Sequence, residues 1–204
     1  MAGLDGYKHI CSEEKIEKAE YKCSLKDSDY TDKECRVIWD FYVSRSFASA
    51  TGLTIDFSEY GWNSSQSKTD GLPALERKLA EAAGISSFCI IRSKSIKDTL
   101  QQMGLFHNRI CISHPRAVLM QNYHIDIDEN EITKIASDES RIHSIFRHIR
   151  NSFAHGNTYF FPNKMCLLED KDGSTKLTAE ILIPCDALIR WIDIVDKEHR
   201  YYNI

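Results

Sequence analysis

Residues 147–157 read RHIRNSFAHGN: two Arg, two His and two Asn in eleven positions, with no acidic residue among them. A guanidinium keeps its charge at any physiological pH and grips an oxyanion with a planar fork, while an imidazole exchanges its proton near neutrality. Side by side, such groups can hold a phosphate and move a proton next to it. Arg150, Asn151 and His155 are the candidate catalytic residues, and Arg147, His148 and Asn157 the candidates for binding substrate around them. Across residues 140–168 there is no Asp or Glu, although the chain holds 30 of them, and Arg141, Arg147, Arg150 and Lys164 all lie inside. The net charge of -4 hides this local anion-attracting patch. The plain alternative is a solvated polar helix face closed by Gly156.

A helix over about residues 138–155 must carry these groups. Ser137 can cap it, Asp138 and Glu139 suit its first turn, and Gly156 suits its exit. Ile142, Ile145, Phe146, Ile149 and Phe153 follow i, i+3, i+4, i+7 and i+11, which is one buried stripe. At about 100° per residue, Asn151 falls about 180° from the stripe centre, His155 about 220°, His148 about 240° and Arg147 about 140°. All four are therefore expected to face solvent. Arg150 sits on the flank, where its stem can lie on apolar surface. Asn151 and His155 are neighbours at i, i+4.

Next, YFFPNKMCLLEDKDGSTKLTAEILIP reads as a β-hairpin turning at Asp172-Gly173, with Leu177, Ala179, Ile181 and Ile183 in alternation. Pro184 opens a last helix with Leu188, Trp191, Ile192 and Val195 inward; Lys197, His199 and Arg200 fall at its carboxyl end, where the dipole favours cations. Upstream, Ser12 starts one helix, and Thr31-x-x-Glu34 is a capping box for another that carries Val37, Ile38, Phe41 and Arg45. Residues 50–71 read as a long connection, either functional or mobile. Pro73 and Gly84 bracket a further helix, and Ser95 and Gly104 another; residues 105–135 are open to strand, helix or a mixture.

Arg150-Asn151-Ser152-Phe153-Ala154-His155 resembles the signature of HEPN domains, an Arg and a polar residue followed by a His after four intervening positions. The apolar Ile149 before it and Gly156-Asn157 after it agree. The resemblance covers about residues 73–204. It implies a mainly α fold, a HEPN-like helical bundle with a small β-hairpin between the motif helix and the C-terminal helix. Residues 1–204 would form a single HEPN-like domain, with 73–204 as its core and 1–70 adding N-terminal helices and the connection. HEPN domains typically pair, and many are metal-independent ribonucleases. The resemblance thus implies an RNA-cleaving homodimer with a composite site, without metal or cofactor, in a toxin or defence setting where an antitoxin or other protein is a candidate partner. His155 would move the proton, Arg150 would grip phosphate, and Asn151 would orient His155 or the phosphate. The alternative is a non-catalytic HEPN module that binds RNA, a nucleotide or a partner protein. HEPN toxins paired with nucleotidyltransferases carry a Tyr two residues after the His; here Asn157 stands there and the nearest Tyr is Tyr159.

Composition narrows the remaining classes. The 204 residues can bury a core without staples, and seven scattered Cys with no C-x-x-C pair favour reduced thiols and a cytoplasmic setting. No apolar run approaches the ~20 residues that span a bilayer, so no membrane partner is expected. His107, Cys111 and His114 lack a fourth ligand at a zinc spacing. GWNSSQSKTDG lacks the second Gly that a phosphate loop needs before its Lys, and reads as a loop.

Overall fold

The computed structural model describes residues 21–48, 55–65, 67–85, 89–91, 109–112, 118–120, 141–172 and 176–203. Thr31 caps α1 (Asp32–Trp39) with a complete capping box: Glu34 N donates to its Oγ1 at 3.2 Å, and its own N–H reaches Glu34 Oε2 at 2.7 Å. The helix passes through a π-helical turn (Asp40–Ser44) into α2 (Arg45–Ala48). Pro73 lies in the first turn of α3 (Leu72–Ala82), and Gly84, at φ +68°, follows its end. Two further α-helices among the described residues are α4 (Arg141–Ala154) and α5 (Cys185–Val195).

Among the described residues six strands accompany them: β1 (Cys89–Ile91), β2 (Arg109–Ile112), β3 (Val118–Met120), β4 (Thr158–Phe160), β5 (Met165–Asp172) and β6 (Lys176–Pro184). β1 pairs with β3, and the other four form an antiparallel sheet in the order β2-β6-β5-β4. Lys22 continues that sheet past β4 through a reciprocal backbone pair with Phe160.

The expected mainly α bundle with a small accessory hairpin is corrected by this sheet. The fold is mixed α/β. A hairpin on the surface would leave one face wet, but β5 and β6 are buried on both: Cys166, Leu168, Ile181 and Ile183 on one, Leu167 and Leu182 on the other. The segment that sequence left open contributes β2, whose Ile110 and Ile112 extend the buried face.

The stripe on α4 is buried as its spacing predicts. Phe146 lies at its centre, with ring centroids of Phe57, Tyr42, Phe41 and Trp191 between 5.0 and 6.1 Å away. Tyr42 reaches past them to donate its hydroxyl to Leu188 O at 2.8 Å. The inward residues of α5, from Leu188 to Val195, are also buried. One contiguous core therefore joins α1, α3, α4, α5 and the sheet.

The described part of the 50–71 connection is packed rather than open. Ile55, Phe57, Tyr60 and Trp62 are buried, and Trp62 Nε1 donates to Val195 O at 2.9 Å. Gly71 closes its last turn, since a Cβ there would meet Ser65 O at 2.2 Å. α5 ends before Lys197, His199 and Arg200. The chain turns instead on buried Asp196, which accepts N–H bonds from Arg200, Tyr201 and Tyr202, and Lys197 pairs with Asp70 over the Trp62 ring. The expected helices from Ser12 and Ser95, the cap at Ser137, the turn at Gly173, and His107 and His114 lie outside the described residues. No described helix is long and apolar enough to cross a membrane.

Candidate functional site

The last turn of α4 ends in a Schellman closure. Asn157 N donates to Ser152 O at 2.9 Å and Gly156 N to Phe153 O at 3.2 Å, with Gly156 at φ +67°. This stop places His155 at the helix's exposed carboxyl tip, its own N–H still bonded to Asn151 O at 2.9 Å. Asn157 is half-buried, and its carbonyl accepts Glu169 N at 3.0 Å, which ties the exit to β5.

The face opposite the apolar stripe does not all meet water. His148 is 2% exposed, Asn151 is half-buried, and both reach Asp170 on β5. Asp170 Oδ2 accepts from Asn151 Nδ2 at 2.9 Å and bonds His148 Nδ1 at 2.6 Å; Oδ1 accepts Lys171 N at 2.9 Å. The other end of the Asn151 amide, Oδ1, accepts Arg150 Nη1 at 2.6 Å. Arg147 Nη2 lies 3.3 Å from His148 Nε2 and 3.5 Å from Ser144 Oγ. Because a guanidinium only donates, Nε2 must accept and the His148 proton sits on Nδ1, facing Asp170. Burial pushes the Asp170 carboxyl up, but the bonds from His148 and Asn151 outweigh it and hold the group below its ordinary value.

Five residues thus form one hydrogen-bonded chain: Arg150, Asn151, Asp170, His148 and Arg147. His155 stands apart from it, joined through backbone alone among the described residues. The Asn151 amide is engaged by Arg150 and Asp170 and is not turned toward His155. Ser144, His148 and Asp170 have the composition of a nucleophilic triad, yet Arg147 occupies His148 Nε2 and Ser144 is buried. Among the described residues, no group of three or more His, Cys, Asp or Glu is placed to hold a metal ion.

The helix that carries Arg150, Asn151 and His155, and the strand that meets it, both fall in a segment with a recognised family pattern. The family model HEPN pEK499 p136 matches residues 84–197, more than half of the chain. The chain belongs to the HEPN family. No curated protein and no solved structure matches it. Within this HEPN domain, Tyr159 is 5% exposed, and burial raises its hydroxyl far above the ordinary phenol range.

Asp170 was missed from sequence, although a signal was present. Cys166 and Leu168 set the inward phase of β5, and Asp170 keeps that phase. An acidic residue in an inward strand position needs a buried partner. The neighbouring Glu169 faces the other side of the sheet, opposite Glu180 on β6, and both are buried. Burial raises Glu169 to about 7, opposed by Lys171, whose Nζ is 3.0 Å from Oε2, and aided by Glu180.

Proposed function

We propose that this HEPN domain is a metal-independent endoribonuclease, working as a homodimer whose two motif helices share one site. The carrying observation is an intact Arg150-Asn151…His155 motif with an exposed imidazole at a helix tip, inside a run free of acidic residues. RNA brings its own nucleophile. One His155 takes the proton from the 2′-OH, and the oxygen attacks the adjacent phosphorus. The P–O5′ bond breaks, and the His155 of the second copy protonates the departing 5′ oxygen. The products are a 2′,3′-cyclic phosphate and a free 5′-OH. Arg150 neutralises the charge that gathers on the non-bridging oxygens, where a fork of donors is worth most. Arg147 and Asn157 flank the approach of the RNA; His148, expected beside them, is buried, and its part is to hold Arg147.

The test is incubation of the dimer with RNA in EDTA and analysis of the ends produced. Cyclic phosphate termini are expected, and His155→Ala should slow their appearance by about 10²–10⁴-fold. Cleavage that survives that change, or that needs added metal, overturns the mechanism. Tight RNA binding with no product at any time assigns the domain to the non-catalytic binding class instead. A nuclease needing no cofactor suits a toxin or defence effector, held in check by an antitoxin. Growth arrest on expression, relieved by His155→Ala, is the sign of that role.

A further inference from the structure

We propose that Asp170, on β5 and outside the motif, is the positioning residue of this site: its carboxylate fixes which way Asn151 presents its amide, and through it where Arg150 is held. The inference rests on the ribonuclease reading for its functional consequence, and on geometry alone for the positioning.

The argument is one of donors and acceptors. An ionised carboxylate can only accept, so the Asn151 end that meets Asp170 must be the NH2 group. The oxygen then faces Arg150, and a guanidinium, which can only donate, finds an acceptor at 2.6 Å. Turn the amide over and two donors confront each other, and Arg150 has to leave. The same Asp170 oxygen accepts the Nδ1–H bond of His148, which leaves Nε2 to accept from Arg147. The motif's Arg150 and its neighbour Arg147 are therefore both oriented by one buried carboxylate, each through one intermediate side chain.

The backbone beside the carboxylate helps to fix it. Asp170 pairs with Ala179 and Lys171 with Leu177, so Thr178 is an extra residue on β6 and the register shifts just after Asp170. On the other edge of β5, past the end of the β4 pairing, Lys171 N donates to Asp170 Oδ1 at 2.9 Å. The carboxylate is 4% exposed and meets three donors with two oxygens. An amide offers one oxygen, so Asp170→Asn must give up at least one of the three bonds while keeping the side-chain shape. A glutamate in its place retains the charge but overshoots by one methylene.

The experiment has two arms. In single-turnover cleavage well below the melting temperature, Asp170→Asn should lower the rate constant by about 10- to 100-fold, as loss of an orienting outer partner does, with RNA affinity within threefold of wild type. A merely structural role would instead lower the amplitude, by reducing the folded fraction, at an unchanged rate constant; that outcome overturns the proposal. The second arm is side-chain nitrogen NMR of the folded protein without RNA. Asp170→Asn should shift the Asn151 amide and Arg150 guanidinium signals and leave those of the His155 ring in place. Unmoved Arg150 signals overturn the positioning role. If wild type shows no cleavage, the ribonuclease reading fails while this second arm still decides the role of Asp170.

Discussion

Glu169→Gln tests the electrostatics of the sheet that supports the motif helix. Glu169 and Glu180 face each other across β5 and β6 in buried positions. Burial, with Glu180 adding to it and Lys171 opposing it, moves Glu169 from an ordinary 4.5 to about 7. An unfolded glutamate titrates at about 4.3, so across the interval between the two values the folded chain binds the extra proton. The stability Glu169 contributes is complete below the unfolded value and is lost as pH rises through the folded one. A decade of proton affinity is worth about 1.4 kcal/mol, which makes the loss about 3 kcal/mol. Glutamine keeps the shape and never ionises. Urea unfolding of both proteins should therefore show their stability difference moving by about 3 kcal/mol in favour of Glu169→Gln, from about pH 4.5 to about pH 8, and flat above that. Asp170 works in the opposite sense, since its depressed value gives stability above about 3.9 that is lost as pH falls. It is common to both proteins and cancels in the difference. A difference that stays level from about pH 5 to about pH 8, or moves the other way, would refute the reasoning.

Two further changes probe the motif helix itself. Gly156→Ala meets nothing within 4 Å of the new Cβ, so its cost is backbone strain alone at φ +67°, about 1 kcal/mol and about 2–4 °C in melting temperature by calorimetry. Ile149→Ala removes a side chain with no exposed surface beside Arg150, and chemical denaturation should show a loss of about 2–5 kcal/mol.

Local signals were legible where one element carries its own cause. The Thr31–Glu34 box, the Pro73 start, the α4 stripe, the Gly156 stop and the α5 inward set all depend on residues a few positions apart. The sheet depends on pairing across distance. β2 comes from Arg109–Ile112 and finds β6 some seventy residues later, a partnership no local period encodes. The π-helical turn after Trp39 and the packed 55–62 segment are likewise set by what they meet. Gly- and Ser-rich composition made residues 50–71 read as an open connection, yet four apolar side chains within it were enough to fold it onto α5.

The site shows the same division. A helical wheel fixes which side chains share a face, and the resemblance to the HEPN signature singled out Arg150, Asn151 and His155 on it. It does not say what that face meets. Asn151 and His148 lie far from the apolar stripe, so solvent was the natural expectation, and a strand 19 residues beyond Asn151 took its place. A polar helix face can be buried when the strand against it supplies a charge with matching hydrogen bonds, and Asp170 supplies it. What remains exposed is then informative. Of the three motif side chains, Asn151 is bonded to the sheet through Asp170 and Arg150 to Asn151, both half-buried, and the imidazole alone is exposed at the tip. That is the arrangement to expect if the proton-moving group must meet a substrate, and a second copy of itself, that come from outside.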